Sequence, residues 1–285
     1  MTVQKLYRHF LATVKQIYSA NEASKITDMI FEWAAAISKS DILLYPDNQL
    51  NSSTIQQLDN ALIKLLQHIP VQYIIGEGWF YKMNLKVSPA VLIPRPETEE
   101  LVLEILNHLK KSNEQSTVLD IGTGSGCIAI AIKKNATQTN VSAIDVSEQA
   151  LQIAEENAKA QQVTVSYLQL DFLNEKAWKD LPAYDIIVSN PPYIPLNEKE
   201  LMDKNVTTHE PHTALFVPAE SPLIFYEKIA LFGKSHLNKN GKIFMETHED
   251  FAGKVATLFE QSGYKTAIKK DMFDKERMVM ATRFP

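Results

Sequence analysis

The chain has 285 residues, 45% of them hydrophobic, a length that suits two domains and a composition that suits a sizeable core. Its 29 lysines and arginines face 34 aspartates and glutamates, a net charge of −5, so it lacks the global basic field of a nucleic-acid binder. The single cysteine, Cys127, excludes an intrachain disulfide and a cysteine-based metal site, and no apolar run approaches the ~20 residues of a membrane span.

The opening stretch, Met1 to Arg8, has no uninterrupted apolar core of a signal peptide. The seven histidines show no metal-ligand spacing, so no metal is expected. A soluble, cytoplasmic protein is the default reading, and nothing in the chain demands more than a monomer.

The first seventy residues read as helical. Leu6, Phe10, Leu11, Val14 and Ile17 recur at helical spacing, and so do Ile26, Ile30, Trp33, Ala34 and Ile37 after a polar start at Asn21-Glu22. A third stripe runs from Ile55 to Ile69, with Ser52 or Ser53 as cap and Pro70 as stop. Between the last two, residues 41–46 suggest a short helix or a turn. This segment, 1–70, is expected to be a helical domain for recognition or support, since it holds no evident catalytic cluster. Residues 71–94 change character: Tyr81, Met83, Leu85 and Val87 alternate with polar residues at the strand period, which suggests a β-hairpin linker.

From residue 95 to 285 helix and strand patterns alternate. Pro96-Glu97-Thr98-Glu99 opens a helix with proline and acids in its first turn. Strands are expected at 117–121, 141–144, 163–170, 184–189, 242–246, 266–269 and 278–282. That order predicts a doubly wound, seven-stranded α/β sheet.

Three strand ends carry chemistry in such a sheet. Gly122-Thr123-Gly124-Ser125-Gly126 follows the first strand, where glycine lets a ligand approach with no Cβ in the way and helix N-terminal amides attract electron-rich groups. The loop fits either a nucleotide-type cofactor or a tight structural turn, and its spacing differs from the Gly-x-Gly-x-x-Gly dinucleotide pattern. Asp145 ends the second strand and suits either ribose hydroxyls or a helix cap. Asp171-Phe172 ends the third, offering an acceptor for an amino group and an aromatic face. Taken in order, these features point to adenosine. Cys127 sits at a helix start, which can lower a thiol pKa, or serves simply as a small packing residue.

Asn190-Pro191-Pro192-Tyr193 follows the fourth strand. Two prolines fix φ, remove two N–H donors and hold Asn190 out of the helical region. What remains is a stiff loop with a side-chain amide, acceptor carbonyls and an aromatic ring. It reads either as a turn closing the strand or as a clamp for a planar nitrogen group.

The glycine loop, Asp145, Asp171-Phe172 and Asn190-Pro191-Pro192-Tyr193, in this order, resemble the class I S-adenosylmethionine-dependent methyltransferases. The Pro70–Gly76 stretch and the run from Val87 to Glu99, with Ile93-Pro94-Arg95-Pro96-Glu97-Thr98-Glu99 as its specific part, resemble the HemK/PrmC family of release factor glutamine methyltransferases. The resemblance spans essentially the whole chain, Glu210-Pro211 and Ala214-Leu215 included. It implies S-adenosyl-L-methionine as cofactor, held by Gly122 to Gly126, Asp145, Asp171, Phe172 and Asn190. It implies peptide chain release factors as protein substrates, methylated on N5 of the glutamine in a Gly-Gly-Gln motif. Neither nucleic acid nor membrane is expected as a partner. Asn190, Pro191 and Tyr193 become the catalytic residues and, with Pro192, the substrate-binding loop. Arg95, Glu97 and Thr98 are expected to support the pocket, or else to cap the helix. The chain departs from the family at residues 217–222, where relatives are rich in glycine, and at Glu246-Thr247-His248, where they often have Glu-Ile-Gly. Two other readings stay open: methylation of a base amino group or a ribosomal-protein glutamine, and a non-enzymatic cofactor-binding protein.

Overall fold

The computed structural model describes residues 1–111 and 115–283. The outer end of the 95–285 range therefore lies outside the described residues. The chain divides into two compact units, one of Met1–Gly76 with Asp203–His209 and one of Glu77–Met202 with Glu210–Pro285.

The first unit is helical: α1 Val3–Val14, α2 Ala20–Ala35, α3 Lys39–Leu44, α4 Ser52–Leu66 and α5 Val71–Ile75. Its core joins Leu6, Phe10 and Val14 of α1 to Ile26, Ile30 and Phe31 of α2 and Leu58 and Leu65 of α4. The caps fall slightly earlier than the sequence suggested. Asn51, not a serine, caps α4 by accepting the Thr54 N–H at 2.8 Å. Ser19 caps α2, and Ser38 with Asp41 forms a reciprocal capping box on α3.

The second unit opens on a hairpin, β1 Glu77–Phe80 and β2 Met83–Lys86. It is shorter than expected. Residues 71–75 are helical, and Tyr81 and Lys82 form the turn, both in the left-handed region (φ 46° and 61°). The alternation that suggested a longer strand is real for Met83, Leu85 and Val87, all buried, but Tyr81 sits beyond its end. The remaining main elements are α6 Pro96–Leu109, β3 Thr117–Ile121, α7 Cys127–Asn135, β4 Asn140–Asp145, α8 Glu148–Ala160, β5 Ser166–Gln169, β6 Tyr184–Ser189 and β7 Ile194–Pro195. They continue as α9 Lys204–His209, which falls with the helical unit, then α10 His212–Leu215, β8 Phe216–Val217, α11 Ile224–His236, β9 Leu237–Glu246, α12 Ala252–Gln261, β10 Tyr264–Lys270 and β11 Glu276–Arg283.

Seven strands form one sheet in the order β10-β11-β9-β6-β3-β4-β5, with β11 antiparallel to both its neighbours and the rest parallel. Successive side chains alternate between two cores, as the strand period requires. Val118, Ile186, Val188 and Phe244 face α6, α7 and the hairpin. Leu119, Ile187, Ile243 and Met245 face α11 and α12. Two strands depart from expectation for local reasons. β5 starts late because Val163 N–H caps α8 by bonding Ala158 O (3.0 Å) after a left-handed Gln162. β9 starts early, at Leu237, and an irregularity carries the chain past Asn240 (φ 72°) before Lys242 pairs with Ile186.

From β3 the chain moves outward through β4 and β5, then returns to β6 on the other side. β3 and β6 are adjacent, with Ile121 paired to Ser189. Open α/β sheets bind ligands at the carboxyl ends of strands at such a reversal.

Candidate active site at the sheet reversal

A cavity of about 340 Å³ opens at this reversal, within the range of small-molecule sites. Its walls come from the ends of β3, β4, β5 and β6, from residues 90–92, and from the segment between Pro211 and Phe225.

The glycine loop supplies one side. Gly122, Gly124 and Gly126 all take positive φ (73°, 54° and 80°), which only glycine adopts without strain. At Gly122 and Gly124 an added Cβ would meet nothing within 4 Å, and both residues line the cavity. Gly126 serves packing instead: its Cβ would lie 2.9 Å from Ile130 Cδ1 and 3.0 Å from Ala154 Cβ. Thr123, Ser125 and Gly126 do not line the cavity. Thr123 turns inward and donates to buried Asp120 at 2.7 Å. Burial pushes the Asp120 carboxyl up to about 7. Burial and the nearby Asp120 push the Cys127 thiol up to about 12, so the helix start does not activate it; it is a packing residue.

Asp145 is pulled toward the loop. Its Oδ2 accepts the Gly124 N–H and its Oδ1 the Ser147 N–H, both at 2.9 Å. Burial raises its pKa against three backbone donors that lower it. Two carboxylate oxygens offer about four lone-pair sites, so about one acceptor site remains for a ligand in the cavity. The cap of α8 is Ser147, which leaves Asp145 free of that task. Asp171 lines the cavity with one oxygen taken by Leu173 N–H (3.0 Å). Phe172 lines it too, and its ring is held by Trp178 and Phe232 at 5.2 and 5.4 Å.

Asn190, Pro191 and Pro192 form the facing wall. Ser189 Oγ donates to Ile121 O (2.8 Å), locking the start of this loop to β3. Asn190 Nδ2 donates to Thr98 Oγ1 (3.2 Å), and Thr98 Oγ1 lies 2.6 Å from Glu246 Oε2. Tyr193, expected to offer an aromatic face to the substrate, is placed beside this wall. It does not line the cavity: its hydroxyl reaches Glu246 Oε1 at 3.4 Å, and its ring meets His248 edge-on at 6.1 Å. Burial and the Glu246 charge raise the Tyr193 hydroxyl above the ordinary phenol range.

The pocket-support residues also lie off the cavity wall. Arg95 Nη2 pairs with Glu210 Oε1 at 2.6 Å, and Glu210 Oε2 accepts the Ile93 N–H at 3.2 Å. This fully buried carboxylate thereby clamps the extended stretch that carries residues 90–92 along the cavity. Thr98 is buried in the first turn of α6. Glu97 has no part in the wall and acts on Glu246 as a nearby like charge. Glu246 ends β9, lies off the cavity wall and is a buried anchor for Thr98 and Tyr193. Asn157 was missed altogether. It donates to Lys86 O and Ser125 O (3.0 and 2.9 Å) and accepts Lys86 N–H (2.6 Å), tying the hairpin to the glycine loop. A buried asparagine in an otherwise amphipathic helix was the only available signal. Among the described residues no group of acids, histidines and cysteines could hold a metal ion, and no helix is long and apolar enough to cross a membrane.

Comparison with known proteins identifies the family. Residues 100–210 match the family described as methyltransferase small domain, and residues 5–76 match the PrmC N-terminal domain. A release factor glutamine methyltransferase of Flavobacterium psychrophilum is 36% identical over 98% of this chain and 98% of its own. One from Bacteroides thetaiotaomicron is 36% identical over 99% of this chain and 100% of its own. A methyltransferase structure from Pyrococcus furiosus, 17% identical, superposes with a TM-score of 0.53 over 80% of this chain and all of that one, and shows the shared fold. Identity of this degree from end to end means that the chain belongs to the release factor glutamine methyltransferase family.

Proposed function

We propose that this protein transfers a methyl group from S-adenosylmethionine to the N5 side-chain nitrogen of the glutamine in a release factor's Gly-Gly-Gln motif. The observation that carries the reading is the Asn190-Pro191-Pro192 wall facing a glycine-lined cavity at the sheet reversal. The residues present fit the cofactor. Gly122 and Gly124 leave open space where side chains would stand, and Asp145 keeps an acceptor site for a ribose hydroxyl. Asp171 and Phe172 suit the adenine edge and face. When bound, the sulfonium would supply an electrophilic methyl group.

An amide nitrogen is a poor nucleophile because its lone pair is delocalised into the carbonyl, so orientation carries much of the rate. Asn190 Oδ1 and the Pro191 carbonyl each accept one N–H of the acceptor amide. This would fix the orientation of the nitrogen and stabilise positive charge that develops on it. Once methylated, the amide nitrogen would be strongly acidic and would shed its proton to water, so no base is required of the wall. Glu210, through Arg95 and Ile93, keeps the opposite wall in place. The helical unit serves release factor recognition in this reading. It has an exposed apolar run at Leu43, Leu44 and Tyr45.

The test is incubation with labelled S-adenosylmethionine and purified release factor, or separately nucleic acid, followed by peptide mass spectrometry. One added methyl on the Gly-Gly-Gln glutamine is the expected result. Label in nucleic acid alone would overturn the reading of the acceptor.

A further inference from the structure

We propose that Thr98 and Glu246 are positioning residues of methyl transfer, forming a one-way hydrogen-bond chain that fixes which end of the Asn190 amide faces the acceptor. The inference rests on the reading of Asn190 as the partner of the acceptor amide.

The two ends of an asparagine amide have the same shape and opposite hydrogen-bonding sense. If Oδ1 faces the acceptor, the acceptor N–H is satisfied. If Nδ2 faces it, two N–H groups oppose each other and the clamp fails. Something must therefore choose the flip, and the choice is made outside the cavity. Ionised Glu246 only accepts. Thr98 has a single hydroxyl proton, and its contact with Glu246 at 2.6 Å is short enough to be charge-assisted. With that proton committed, Thr98 Oγ1 can only accept from the group that meets it at 3.2 Å, which must be Asn190 Nδ2. Oδ1 is left for the acceptor. Tyr193, donating to Glu246 Oε1 at 3.4 Å, fills the other carboxylate oxygen and holds the same sense.

The chain keeps its direction only while Glu246 is ionised. A protonated carboxyl both donates and accepts, so Thr98 can reverse and both flips of Asn190 become available. Burial pushes Glu246 up to about 7, with Glu97 raising it and Thr98, Tyr193 and Arg277 lowering it. The groups facing it are Glu97 and Thr98 from α6, Tyr193 from the Asn-Pro-Pro loop, Tyr226 from α11, Arg277 from β11 and Cys127 from α7. His248, the next residue but one, faces Tyr193.

The experiment measures kcat, KM for release factor and cofactor Kd from pH 5.5 to 8.5, for wild type, Thr98→Val, Thr98→Ser and Glu246→Gln. Wild-type kcat is expected to rise with pH through the neutral range to a plateau. Thr98→Val removes the hydroxyl at nearly constant shape; kcat falls about tenfold or more, with KM and cofactor Kd within about twofold of wild type. Thr98→Ser restores most of the rate. Glu246→Gln mimics the protonated carboxyl, so its kcat stays near the low-pH wild-type value across the range. That variant keeps the argument testable if Thr98→Val folds poorly. Thr98→Val and Glu246→Gln enzymes with wild-type kcat and an unchanged pH profile would overturn the proposal. An inactive wild type would instead show that the acceptor is wrong, a failure visible before any variant is compared.

Discussion

In the proposed reading the cavity has a cofactor side and an acceptor side, and the two are held by different kinds of bond. On the cofactor side the shaping groups are backbone and near neighbours in sequence: three left-handed glycines within five residues, and Asp145 fixed by the Gly124 and Ser147 amides. On the acceptor side a single amide is oriented from far along the chain, by Thr98, 92 residues away from Asn190, and by Glu246, 148 residues from Thr98. A site for a constant cofactor can be stamped by a local motif. A site that must present one amide end to another needs side chains converging from separate elements, because the flip of Asn190 is invisible to its own loop.

The sharpest way to break the comparison is Asn190→Ala. It removes the acceptor contact and leaves the glycine loop, Asp145 and Asp171 untouched. We expect kcat to fall about a hundredfold or more, the size of losing one preorganised polar contact to a developing charge. Cofactor Kd, followed by titration calorimetry, should change by only a few fold. A parallel collapse of cofactor binding would mean that the two sides are one unit.

The glycines sharpen the comparison within the cofactor side. Gly126→Ala drives a Cβ against Ile130 and Ala154 at a left-handed φ, and should destabilise by about 2 kcal/mol, read from urea unfolding. Gly124→Ala meets no protein atom. It carries only the left-handed strain, about 1 kcal/mol, but its methyl enters the cavity, so it should raise cofactor Kd several fold. Equal effects of the two on stability and affinity would show that lining and packing glycines are not separate classes.

The same division explains what could be read from the sequence. β3 and β6 and the first residue of α6 were legible because apolar runs and Pro96 act locally. Gly122, Gly124, Asp145, Asp171, Asn190, Pro191 and Pro192 were legible as strand-end residues, and all of them line the cavity. The partner of the Tyr193 hydroxyl, Glu246, was illegible because no spacing rule connects the two. Asn157 and the direction of the Thr98 contact were illegible for the same reason. Both depend on how distant elements pack: α8 against the hairpin and the glycine loop for Asn157, and α6 against β9 and the Asn-Pro-Pro loop for Thr98. The hairpin turn at Tyr81-Lys82 was hidden because neither residue is a usual left-handed turn former.

The smallest expected effect concerns stability against pH, and it again separates the two sides. Asp120, under the glycine loop, and Glu246, behind Asn190, both sit at about 7 in the folded protein, far above their unfolded values, because burial disfavours the charge. A carboxyl raised on folding binds its proton more tightly in the native state. Its stabilising contribution is complete below the unfolded pKa and is lost as pH rises through the folded one. Asp185 and Asp271 are lowered by hydrogen bonds, and their contributions are lost in the opposite direction, as pH falls. Thermal stability should therefore peak in the mildly acidic range and decline by a few degrees toward pH 8, on the order of what 1 kcal/mol shifts a domain of this size. Asp120→Asn should remove the part of the decline that belongs to the cofactor side and leave the pH dependence of kcat in place. Glu246→Gln should remove the other part of the decline and the kcat dependence together. Melting curves and rates measured on the same samples distinguish the two. If Asp120→Asn abolished the kcat dependence, the proton that matters would lie under the glycine loop, and the acceptor side would not orient its amide on its own.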